Sequence, residues 1–136
     1  MAETNTLKVK RLFAEQGVIE NASITFNDYI QSVSTTSTAV TEDLWLIPGL
    51  IDTHAHGAMG CDVMDASHQS LATMSTYFAS IGVTGFLPTT MTAEKDAICA
   101  ALKQIHQSKV TGVPGAEILG GYLEGPFFNA KYKGAQ

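Results

Sequence analysis

The sequence predicts an α/β fold, and three observations carry that expectation. The first third alternates apolar and charged residues with a period of two. From about residue 44 onward, nearly continuous apolar runs alternate with stretches of helical spacing. Those stretches fall in the order strand, helix, strand, helix, strand, which points to a parallel sheet with right-handed crossovers.

Residues 6–13, TLKVKRLF, read as a half-buried strand. Residues 17–34, GVIENASITFNDYIQSVS, read as a hairpin or meander with turns at Glu20-Asn21 and Asn27-Asp28. A polar connection, TTSTAVTED, follows. Charged side chains alternating with apolar ones fit an antiparallel sheet with one wet face. LWLIPGLID, residues 44–52, has the composition of a strand buried on both faces of a parallel sheet. Over residues 66–82, Leu71, Met74, Phe78 and Ile81 recur at helical spacing, with Ser67 placed to cap the start and Gly82 to stop the helix. VTGFLPTT, residues 83–90, is a second buried strand. TAEKDAICAALKQIHQS, residues 92–108, is a second helix, capped by Thr92, with Ile98, Ala101, Leu102 and Ile105 as its apolar stripe. AEILGGYLEGPF, residues 116–127, is the third strand.

Two domain portions are expected, 1–45 and 46–136. Three parallel strands with two helices make less than half of an eight-stranded α/β barrel, which takes about 250 residues. The chain is therefore expected to be the N-terminal part of a longer protein. Its 136 residues are 45% apolar, with a net charge of −5 and no basic patch. Nucleic-acid and membrane-surface binding are not expected. No apolar stretch reaches the length of a membrane span, about 18 residues, and the N-terminus lacks the apolar core of a signal peptide. Cys61 and Cys99 are far apart and form no CxxC pair. They read as reduced thiols packed as small hydrophobes, in a soluble cytoplasmic protein.

The chemistry concentrates in GLIDTHAHG, residues 49–57. In a strand, His54 and His56 project from the same face, about 6–7 Å apart along the chain. At the C-terminal end of a barrel strand that face looks into the mouth, where active sites sit. Two neutral imidazoles on one face can grip one ion; two histidines that merely pack or hydrogen-bond are the competing reading. Asp52 shares the face by parity. It either orients an imidazole or bonds the backbone. Glu124 ends the apolar run ILGGYL, where a carboxylate is costly to bury unless paired or metal-bound. Gly125-Pro126 then forces a turn. Two nitrogens and one carboxylate suit zinc or a similar divalent ion, which can lower the pKa of a bound water to about 7. His68 and His106 read as surface residues, and GAMGCD as room for a ligand or a flexible loop. Thr89 and Thr90 read as mouth-lining residues or ordinary strand ends, and Lys131 and Lys133 as an attraction for an anion or as solvated lysines.

PGLIDTHAHGAMGCDVMDAS, GVTGFLPTTMTA and LGGYLEGPFFNAKYKGAQ together resemble the N-terminal third of the N-acetylglucosamine-6-phosphate deacetylases, a family of the amidohydrolase superfamily. The resemblance runs from about Leu46 to Gln136. It implies a distorted (β/α)8 barrel, of which this chain holds the first three strands and two helices, plus strands of a small β-sandwich. Glu124 matches the family's ligand glutamate, and His54 and His56 match the pair that helps bind a second metal, so one or two ions per subunit are both open. Ala135 and Gln136 fall where family members contact the amino sugar. The implied reaction is hydrolysis of N-acetylglucosamine 6-phosphate to glucosamine 6-phosphate and acetate, by a zinc-dependent homodimer. The family's two later histidine ligands, its catalytic aspartate and most of its phosphate contacts fall beyond residue 136, so the 136 residues alone are expected to be inactive. Two alternatives stand beside this: another amidohydrolase, such as a cyclic-amide hydrolase or deaminase, and a non-catalytic fragment whose exposed edges pair with a second copy.

Overall fold

The computed structural model describes residues 3–134. The chain divides into two compact units, Met1–Pro48 and Gly49–Gln136. The first unit is one four-stranded sheet. Strands β1 (Asn5–Ala14) and β2 (Gly17–Phe26) form an antiparallel hairpin, with Val9 opposite Ala22. Strand β3 (Ile30–Thr35) continues antiparallel from β2, and the short β4 (Trp45–Leu46) pairs parallel with β1, giving the order β3-β2-β1-β4. Val9, Leu12, Ala22 and Ile24 form its core.

The expected reversal at Glu20-Asn21 does not occur, because β2 runs straight through it. Asn21 does adopt the left-handed backbone that favours asparagine, with φ of 50°. Its carbonyl accepts from the Thr36 amide at 2.7 Å and its side-chain oxygen from the Val40 amide at 3.1 Å. The turn-forming chemistry serves instead to tie down the connection after β3. LWLIPGLID is likewise not one strand. Pro48 has no amide to donate and interrupts the ladder. Trp45–Leu46 joins the first sheet, while β5 (Leu50–Ala55) begins the second. Nor is β5 buried on both faces: Leu50 is 55% and Ile51 60% exposed, since β5 is an edge strand among the described residues.

In the second unit, β5 leads into a hairpin of β6 (Gly57–Ala58) and β7 (Cys61–Asp62). A side chain at Gly57 would meet the Cys61 carbonyl oxygen at 2.4 Å, so glycine is required there. A 3-10 turn, Val63–Asp65, then feeds helix α1 (His68–Ser80). The Ser67 hydroxyl accepts from the Ser70 amide, and Gly82, with φ of 88°, lets the chain leave. Ile81, 52% exposed, drops out of the expected stripe because it already lies past the helix end.

Strand β8 (Val83–Pro88) pairs parallel with β5, and helix α2 (Lys95–Thr111) follows. Thr92 does not cap α2; the N-cap position is Glu94, and the Thr92 hydroxyl donates to the Gly125 carbonyl at 3.3 Å. Strand β9 (Glu117–Ile118) completes the order β5-β8-β9. The expected long third strand is thus only two residues, because Gly120 and Gly121 interrupt it. The chain still runs beside β8, through Leu119 amide to Phe86 carbonyl and Tyr122 amide to Pro88 carbonyl. Leu71, Met74 and Phe78 of α1 pack with Ile105 of α2 and with Val83, Phe86 and Ile118 of the sheet. Cys61 packs partly buried against this core, but Cys99 is exposed on α2, contrary to expectation. No helix among the described residues is long and apolar enough to cross a membrane.

Phe86 is fully buried and meets the Phe78 ring at 5.0 Å between centroids. Phe86→Ala should cost about 3–5 kcal/mol, read from urea denaturation. A second measurement concerns the 3-10 turn. The Asp65 carboxylate accepts from the Asp62 amide and the Ser70 hydroxyl, and these bonds hold its pKa below the ordinary 3.8. Its stabilisation is therefore full above that ordinary value and disappears as pH falls through the lower folded one. Asp65→Asn should remove this part of the acid sensitivity, seen as a flatter loss of stability below about pH 4.

Candidate metal centre

The site forms at the tip of the parallel sheet. Between Asp52 and Ala55 the β5–β8 ladder shifts register, a bulge in the segment that carries His54. Bulges re-aim side chains beside functional sites. The His54 amide donates to the Asp52 carboxylate at 3.0 Å. Of the two roles open to Asp52 from sequence, the backbone contact is the one formed. Ala55 keeps its pairing, giving its carbonyl to the Thr89 amide at 2.8 Å and its own amide to the Thr89 hydroxyl at 3.0 Å.

The two rings converge. Their Nε2 atoms are 3.0 Å apart and the rings meet edge to face, with centroids at 4.8 Å. The Glu124 carboxylate oxygen Oε2 lies 2.7 Å from His54 Nε2 and 3.5 Å from His56 Nε2. These three residues form the one group of candidate metal ligands among the described residues. The Glu124 side chain is 17% exposed, His56 33% and His54 47%, so the cluster opens on the His54 side. Tyr122 flanks that side, its ring 5.0 Å from the His54 ring.

The proton position on His56 follows from its partner. The Thr89 main-chain carbonyl, 3.1 Å from Nδ1, can only accept, so Nδ1 carries the proton. In the neutral ring this leaves the Nε2 lone pair facing Glu124 and His54. A backbone carbonyl on one ring nitrogen and a ligand on the other is the usual setting of a metal-binding histidine. Ligand atoms about 2.0–2.1 Å from a tetrahedral zinc lie about 3.3–3.4 Å apart. The His56–Glu124 and His54–His56 separations, 3.5 and 3.0 Å, are close to that, while the 2.7 Å between His54 and Glu124 is a hydrogen-bond distance that an ion would widen.

Glu124 is held by its main chain. Its amide donates to the Thr90 hydroxyl at 3.0 Å, and the same hydroxyl donates to its carbonyl at 3.0 Å. Gly125 turns sharply with φ of 108°, and a side chain there would lie 2.5 Å from the Thr92 backbone nitrogen. Sequence reading gave Thr89 and Thr90 no specific task and missed Tyr122; two adjacent threonines after a strand carry no spacing signal. His68 and His106 are exposed and apart from the cluster, though His68 Nδ1 lies 2.9 Å from the Ser108 hydroxyl. Lys131 and Lys133 are exposed at the C-terminal 3-10 turn, with the Lys131 ammonium 5.3 Å from the Tyr132 ring centroid. Ala135 and Gln136 lie outside the described residues.

Gly125→Ala should destabilise the chain by about 1–3 kcal/mol, from left-handed strain and collision with Thr92. A denaturation midpoint equal to that of the parent chain would contradict the close approach.

No protein-family model matches the chain. It is 64% identical over 90 residues to the N-acetylglucosamine-6-phosphate deacetylase of Vibrio furnissii, an overlap of 66% of this chain and 23% of the relative. Over 135 residues it is 42% identical to the N-acetylgalactosamine-6-phosphate deacetylase of Escherichia coli O157:H7, covering 97% of this chain and 36% of the relative. Its backbone matches the crystal structure of N-acetylglucosamine-6-phosphate deacetylase from Thermotoga maritima with a TM-score of 0.83 at 25% identity, over 97% of this chain and 35% of that one. The chain is therefore similar in sequence and backbone to amino-sugar-phosphate deacetylases, and spans about a third or less of their length.

Proposed function

We propose that this chain contributes to hydrolysis of the acetamide of N-acetylglucosamine 6-phosphate, giving glucosamine 6-phosphate and acetate. The observation that supports it is the convergence of His54, His56 and Glu124 in a homologue of amino-sugar-phosphate deacetylases. The β5-β8-β9 sheet with α1 and α2 then reads as the opening of a (β/α)8 barrel, and β1–β4 as part of the small sandwich. In that reading the cluster sits at the C-terminal ends of barrel strands, where such enzymes place their chemistry.

His54, His56 and Glu124 would hold a divalent ion, zinc first, with one or two ions per subunit. Such an ion supplies Lewis acidity toward the acetamide carbonyl. The chain's own residues do the positioning. The Thr89 carbonyl fixes the His56 proton on Nδ1 and so presents Nε2. The half-buried Glu124 carboxylate faces the ring nitrogens. Tyr122 borders the open side, where it can restrict water. Substrate contact by Ala135 and Gln136, homodimer assembly and a cytoplasmic location belong to the same proposal. The Escherichia coli relative favours one second reading, in which the sugar is N-acetylgalactosamine 6-phosphate.

Two measurements test this. Zinc titration of the chain against a chromophoric chelator should give tight binding, weakened in Glu124→Gln by more than the roughly 10–100-fold typical of losing an outer partner. Equal zinc binding by parent and variant would overturn the ligand assignment. Acetate release should be seen on N-acetylglucosamine 6-phosphate when the polypeptide is extended to the length of its relatives, and none from the 136 residues alone. Faster release from the galacto sugar would select the second reading, and release from neither would overturn both.

A further inference from the structure

We infer that Thr90, whose hydroxyl bonds the main chain of Glu124, is the positioning residue for Glu124. This rests on the reading of Glu124 as a metal ligand. Thr90 is fully buried two residues past the end of β8. Its amide donates to the Tyr122 carbonyl at 3.0 Å. Its hydroxyl takes the Glu124 amide and gives its own proton to the Glu124 carbonyl, each at 3.0 Å.

One hydroxyl thus satisfies both main-chain groups of a single residue, beyond the end of the regular ladder. That pins the backbone on either side of the Glu124 α-carbon and so fixes the direction in which its side chain leaves. On the far side the chain turns away at once through Gly125, where the Thr92 hydroxyl contact at 3.3 Å is longer. A carboxylate on three rotatable bonds comes to 2.7 Å from one imidazole nitrogen and 3.5 Å from another only if its α-carbon is held. Ligand orientation by outer groups is commonly worth 10–100-fold in metal affinity. Threonine also fits sterically where valine would, so the hydroxyl and the packing can be separated by substitution.

The test compares Thr90→Val, Thr90→Ser and the parent chain. Zinc affinity is read by chelator competition, the visible spectrum of the cobalt-loaded chain reports ligand geometry, and circular dichroism reports folding. Thr90→Val should fold, bind zinc about 10–100-fold more weakly and shift the cobalt bands. Thr90→Ser, which keeps the hydroxyl and loses only a methyl group, should restore both. Equal affinity for Val and parent, or equal weakness of Val and Ser, would overturn the inference. Should Thr90→Val fail to fold, Thr90→Ala replaces it, and an Ala variant binding as tightly as Ser would overturn the inference equally. Absence of zinc binding by the parent chain would instead overturn the ligand reading of Glu124, a distinguishable result.

Discussion

The site depends on how the chain end of one strand is tied to its neighbours. Thr89 and Thr90 follow β8, the central strand of the parallel sheet, and both faces of that dipeptide are used. Toward β5, Thr89 engages the Ala55 main chain through its amide and hydroxyl, and the His56 ring through its carbonyl. Toward the segment after β9, Thr90 engages Tyr122 and Glu124. The two histidines and the carboxylate come from opposite sides of β8, with His54 70 positions before Glu124 in sequence. Without the dipeptide between them, the ligand atoms would have no common reference.

This arrangement also resolves a cost. A carboxylate that is mostly withdrawn from water is unfavourable unless a partner compensates it. Glu124 has its carboxylate 2.7 Å from His54 Nε2, a ring nitrogen that can donate to it, and its main-chain groups against one hydroxyl. The bulge in β5 has a similar logic. It frees the His54 amide from the regular ladder, and the Asp52 carboxylate accepts it. Among the described residues, no buried side-chain polar atom lacks a partner.

The residues that could be read directly were those whose signal is local. The His54-x-His56 spacing, the Glu124 at an apolar run's end, the α1 cap at Ser67 and the stripe of α2 each sit within a few residues of one another. What could not be read was set by distant partners. Thr92 has the chemistry of a helix cap, and only the approach of Gly125 gives its hydroxyl a different acceptor. Asn21 has the chemistry of a turn, but β1 pairs with β2 on both sides of it, so the strand continues past its left-handed backbone. The apolar residues Leu50 and Ile51 imply two covered faces, yet coverage is a property of the neighbours a strand has, not of the strand. The long third strand failed for a local reason that apolar content concealed: Gly120-Gly121 contributes no side chain to hold a ladder.

A final consequence concerns which states of the chain an ion would select. The candidate ligands are brought together only when β5, β8 and the segment after β9 are in register. In an unfolded chain, His54 and Glu124 are 70 positions apart and form no preassembled site. An ion that binds the folded arrangement and not the unfolded one adds stability by mass action, about 2.7 kcal/mol at a hundred times its dissociation constant. That gain falls on the unit Gly49–Gln136, which contains the candidate ligands found among the described residues. Metal loading should therefore separate the two units energetically, stiffening the one that carries the chemistry and leaving the four-stranded sheet to its own small core of Val9, Leu12, Ala22 and Ile24.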